Sequence, residues 1–148
     1  MAKINAGRVI LGGVIAGIIC FLGDGVVHGV LLKNQWAEIA SALGKSSADV
    51  GRQHPGYFLA YDLIKGLLAV WIYAAARPRF GPGPATALLA AFTVWLLVIP
   101  VPTIGLLPME FFSARFAVLW SIYGLIPIVI GTLIGAWLYR EAPAQAAL

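Results

Sequence analysis

The chain has 148 residues, of which 61% are hydrophobic and only 11% charged. Soluble domains are nearer a quarter charged and about half apolar, so a water-soluble core is excluded and a bilayer is the expected solvent. The formal net charge of +4 does not point to nucleic acid. Lys3, Arg8, Arg77, Arg79, Arg115 and Arg140 lie at the edges of apolar runs, where membrane helices keep anchoring cations, and not in a stripe on one face.

Four apolar stretches cover residues 9–32, 57–76, 84–107 and 116–139. Each is long enough to cross a hydrocarbon layer of ~30 Å at ~1.5 Å per residue. Period-two alternation is absent, which removes a barrel. The expected fold is all-α: a four-transmembrane-helix antiparallel bundle forming a single domain over residues 1–148.

The first stretch follows Lys3 and Arg8 as a signal peptide would, but it is too long and no A-x-A cleavage site follows it. We expect a retained first transmembrane helix. Gly13, Gly17, Cys20, Asp24 and His28 are spaced by three or four residues and share one helix face. Gly12, Gly13, Ala16, Gly17, Gly25 and Gly29 allow close approach of another helix. Cys20 is the single cysteine, so no intrachain disulfide forms; it reads as a buried small residue.

Residues 33–55 make the longest connection. Residues 35–43 suit a short amphipathic helix on the membrane surface, with Trp36, Ile39, Ala40 and Leu43 on its apolar face. Residues 46–49 have the shape of a capping box. The second stretch carries Tyr61, Asp62 and Lys65. Residues 77–84, Arg-Pro-Arg-Phe-Gly-Pro-Gly-Pro, read as a tight turn that cannot continue a helix. Pro100 and Pro102 loosen the third stretch, and Pro127 interrupts the fourth. Thr103, Glu110, Arg115 and Ser121 come from the second hairpin. Glu110 and Arg115 are expected to pair at the rim; the alternative points Arg115 inward, to a carboxylate or an anionic headgroup.

Leu67-Leu-Ala-Val-Trp-Ile-Tyr73 and Leu133-Ile-Gly-Ala-Trp-Leu-Tyr139 echo one another. Either a duplicated hairpin or an aromatic belt accounts for them. Lys3, Arg8, Arg77, Arg79 and Arg140 fall on one side, against Lys33, Lys45, Arg52 and Arg115 on the other. This places both termini in the cytoplasm of a bacterial inner membrane.

Ionisable groups inside a span are costly and mark a function or a buried pair. From the helix rise, Asp24 and Lys65 each lie about 12 Å below the outer surface, with His28 and Asp62 about 6–8 Å below it. If the first two spans are neighbours, Asp24 meets Lys65 and His28 meets Asp62. The cluster Asp24, His28, Asp62 and Lys65, with Tyr61 beside it, is either a register-fixing ion-pair network, a proton or ion relay, a polar-headed ligand site, or a catalytic site. No cofactor is expected. Haem b would have only His28 and His54 as histidine ligands, with His54 at the rim before Pro55. No metal-ligand spacing, phosphate loop or nucleophile motif is present.

The opening Asn5-Ala-Gly-Arg-Val-Ile-Leu-Gly-Gly-Val-Ile-Ala-Gly17, the segment Gly29-Val-Leu-Leu with Trp36, and the closing Gly135-Ala-Trp-Leu-Tyr-Arg-Glu141 resemble small bacterial four-helix membrane proteins such as the DUF1761-like group. The resemblance implies the layout and no activity. The expected function is a non-enzymatic accessory subunit or oligomerising scaffold. Its partners are the lipid bilayer and other membrane subunits or itself, and not nucleic acid. A proton, ion or ligand site at the polar cluster, or an enzyme acting on a lipid-like substrate, are the alternatives.

Overall fold

The structure is a computed structural model that describes residues 4–46 and 54–141. These residues form helices α1 (Ala6–Val26), α2 (Lys33–Ala42), α3 (Pro55–Phe80), α4 (Pro84–Val98), α5 (Pro100–Leu106) and α6 (Ala114–Leu138). A π-turn, Val27–Leu31, continues α1, and a 3-10 turn, Leu107–Met109, follows α5. Four helical segments are long and apolar enough to cross a bilayer: Ala6–Leu31, Pro55–Phe80, Pro84–Met109 and Ala114–Leu138. In each, only 33% to 39% of the most apolar window is buried within the protein. Leu22, Leu97, Ile126 and Trp137 are among the large side chains left outside. A surface this apolar is stable against lipid, not water.

Local chemistry sets the helix ends. Asn5 Oδ1 accepts the Arg8 N–H at 3.2 Å and starts α1; Ser113 Oγ accepts the Phe116 N–H at 3.2 Å and starts α6. Pro55 and Pro84 open α3 and α4, where a missing N–H costs nothing. The expected turn over residues 77–84 is shorter than the sequence reading. α3 runs through Pro78 to Phe80, because a proline in the last turn removes one hydrogen bond while its fixed φ suits the helix. The chain leaves the helix only at Gly81 and Gly83, with φ of 84° and 132°.

Around the bundle the neighbours are α1–α3, α3–α4, α4–α6 and α6–α1. The α1 seams depend on absent side chains. A methyl group on Gly66 would fall on the backbone of Gly13 and Gly17, and one on Gly12 would fall on Gly135. Gly66→Ala is therefore expected to cost about 3 kcal/mol, the upper end of overpacking penalties, because backbone must move. Gly25→Ala, with open space around it, should be near neutral. Reversible SDS unfolding in bicelles compares the two; equal stabilities would count against this seam.

Ile99 breaks the third span between α4 and α5. The helical partner of the Val98 carbonyl would be residue 102, a proline with no N–H. The Tyr61 hydroxyl donates to that carbonyl instead, at 3.1 Å. Tyr61→Phe should destabilise the protein by about 1–3 kcal/mol by leaving the carbonyl unpaired, read in the same unfolding assay. On α6, Pro127 is buried with its ring against Gly23.

At the end of the bundle where α1 begins and α6 ends, Tyr73 and Tyr139 meet edge to face, ring centroids 6.0 Å apart. The Tyr139 hydroxyl accepts the Asn5 N–H, and the Tyr73 hydroxyl accepts the Gly83 N–H, each at 3.3 Å. Trp71 and Trp137 point outward. The sequence echo thus splits into lipid-facing tryptophans and inward tyrosines.

At the opposite end, α2 occupies Lys33–Ala42, close to the expected surface helix. Trp36 and Ile39 pack on a cluster of Val27, Leu32 and Phe116, and Ala40 is buried. Leu43 does not share that face: it is exposed, because the helix ends at Ala42 and the chain turns away. Residues 47–49 of the expected capping box, together with Lys3 and Arg52, lie outside the described residues.

Candidate functional site

Lys65 is the centre of the site. It sits mid-helix on α3 with 2% exposure, one turn after Asp62, also 2% exposed. Its Nζ lies 2.5 Å from Asp24 Oδ2 on α1 and 2.6 Å from Asp62 Oδ1. The contact to Asp24 is a hydrogen bond. Asp62 Oδ1 is close enough to pair by charge but has no hydrogen-bond partner, and Asp24 Oδ1 is likewise buried and unpartnered. The Tyr61 ring packs beside the ammonium, 4.8 Å from Nζ to the centroid. The glycine seam explains the geometry. Because Gly13, Gly17 and Gly66 let the α1 and α3 backbones touch, Asp24 reaches Lys65 without extending into lipid.

Two carboxylates therefore face one ammonium. The Asp24–Lys65 contact is the one the helix rise places at a common level. The expected His28–Asp62 contact does not form. Asp62 spends itself on Lys65 within its own helix, at the i,i+3 spacing. His28 turns to α2, where its Nδ1 accepts the Trp36 indole N–H at 3.0 Å. The π-turn causes the difference: its wider winding re-aims side chains beyond Val26 relative to an α-helix.

No family model, curated protein or solved structure matches this chain.

The remaining polar residues stand apart. His54 is exposed just before α3, its ring 5.8 Å from Tyr57. Glu110 and Arg115 are exposed and do not pair. Among the described residues the ion pairs are Lys65–Asp24, Lys65–Asp62 and Arg77–Glu141. Glu110 caps the 3-10 turn in a left-handed conformation, φ 56°, so the chain bends between it and α6. Ser121 Oγ is spent on the Ala117 carbonyl of its own helix, and Thr103 is buried on α5. Cys20 is buried and free, its Sγ donating to the Pro127 carbonyl at 3.6 Å. Among the described residues no group of three His, Cys, Asp or Glu is placed to hold a metal ion.

The tryptophan that engages His28 has a sequence signal. A buried indole N–H needs an acceptor, and Trp36 stands on the apolar face of a predicted helix. The acceptor's identity depends on how α2 folds back, which no spacing along the chain reports.

Proposed function

We propose that this chain is a small non-enzymatic membrane module whose working part is the Asp24–Lys65–Asp62 centre, and that the centre exchanges a proton. The observation that carries the reading is the imbalance of two carboxylates, Asp62 buried and Asp24 14% exposed, against one buried ammonium. With all three groups ionised, the centre holds one uncompensated negative charge in a setting where such a charge is expensive. One proton removes it. Two oxygens, Asp24 Oδ1 and Asp62 Oδ1, are without hydrogen-bond partners and offer that proton seats on two different helices. Lys65 lies between them and adjusts its contacts as the proton moves.

Of the glycines that suggested helix association, Gly12, Gly13 and Gly17 pack against neighbouring helices of the same molecule, while Gly25 and Gly29 have open space around them and remain available to a scaffold role. An accessory-subunit role remains part of the proposal, in a bacterial inner membrane with both termini cytoplasmic. Proteoliposomes test the core of it. With a potassium-diffusion potential and an entrapped pH dye, vesicles holding the protein should acidify faster than protein-free vesicles. Equal rates would overturn proton exchange.

A further inference from the structure

We propose that the His28–Trp36 hydrogen bond is a pH-sensitive latch, which holds α2 against the bundle and releases it when His28 takes up a proton. This names a regulation of the charged centre and to that extent rests on the proton-exchange reading; the latch chemistry does not.

The bond fixes the state of the ring. An indole N–H only donates, and an imidazole nitrogen accepts only when it carries no hydrogen. Since Trp36 Nε1 donates to His28 Nδ1 at 3.0 Å, the ring is neutral with its hydrogen on Nε2. In an imidazolium both nitrogens donate. A charged His28 and this hydrogen bond therefore exclude one another, and the Trp36 N–H would then face a second N–H.

α2 itself is short. It has ten residues, fewer than an isolated helix needs for stability. Apart from this bond, it is attached by the buried Ala40, by apolar contact of Trp36 and Ile39 with Val27, Leu32 and Phe116, and by the Trp36 backbone N–H donating to the Leu32 carbonyl at 3.0 Å. His28 itself stands on the π-turn, a distortion that recurs at functional positions.

The groups that act on the ring tie the latch to the centre. Asp24 stands one turn earlier on the same helix, and Lys65 on α3 is hydrogen-bonded to it. From α2 and α6 the ring meets the uncharged indoles of Trp36 and Trp120, each at a centroid distance of 5.7 Å. When the carboxylates lose their shared proton, the net charge below His28 becomes negative and a charged ring is favoured. At a given pH an empty centre therefore eases the opening of the latch and a filled one resists it.

The test uses full-length protein in nanodiscs, with nitrogen-labelled indoles and Trp36 assigned by W36F. Between about pH 8 and about pH 5, the range over which histidine switches charge, the Trp36 indole resonance should move on the same titration as the His28 ring. Amide exchange over α2, corrected for its intrinsic pH dependence, should accelerate about five- to tenfold, as the loss of one hydrogen bond implies. His28→Gln, which keeps an acceptor oxygen and cannot titrate, should abolish both responses. W36F should exchange fast at both pH values. A Trp36 resonance that stays fixed, or that moves equally in His28→Gln, overturns the latch. A titrating Trp36 in a protein that moves no protons in vesicles would leave the latch standing and remove proton exchange.

Discussion

Lys65→Met will cost about 3–5 kcal/mol of stability, the usual penalty for stripping one partner from a buried ion pair. The reason is what it leaves behind. Asp24 and Asp62 both approach Nζ within 2.6 Å, so removing the ammonium leaves two carboxylates with no cation between them. The penalty belongs to the stranded charges and not to the lysine's packing. The triple variant Asp24→Asn/Asp62→Asn/Lys65→Met, which removes every charge, should therefore recover most of the loss. Reversible SDS unfolding in bicelles measures both. A Lys65→Met protein within about 1 kcal/mol of wild type would mean that Lys65 reaches a different partner or water.

Asp62→Asn should do the reverse, leaving the fold and removing the flux. The asparagine oxygen is still an acceptor that faces Lys65, and the remaining Lys65–Asp24 pair, held by a 2.5 Å hydrogen bond, is neutral. Stability should change by less than about 1 kcal/mol, while proton movement in vesicles falls at least about tenfold. Together the variants separate two roles. If the centre only fixes helix register, Asp62→Asn is silent in every assay. Full flux in a folded Asp62→Asn protein would remove Asp62 from any proton path.

The helices and one of the two charge contacts are legible in the sequence for a simple reason. Apolar length marks the spans, and a constant rise per residue puts Asp24 and Lys65 at one depth on straight neighbouring helices. The Asp62–Lys65 contact was equally legible from its i,i+3 spacing, but it competes with the apparent match to His28. That match fails because residues 27–31 wind as a π-turn, and nothing in Val-His-Gly-Val-Leu announces the change of pitch. Pro78 misleads in the opposite sense, suggesting a break where a terminal turn of helix tolerates it. The role of Tyr61 hides for a third reason. Its hydroxyl answers the carbonyl that Pro102 orphans on another helix, a debt visible only once α3 and α4 lie side by side.

The tyrosine pair has a mechanical consequence. Each hydroxyl grips the backbone where another helix begins, Asn5 for α1 and Gly83 for α4, while the two rings lean on one another at the axis. All four rods are thereby collared at a single rim. The opposite rim has the broken third rod and the short α2, which Trp36, Phe116 and Trp120 join to the bundle. Any loosening of the molecule should then spare the tyrosine rim, which works as its clamp.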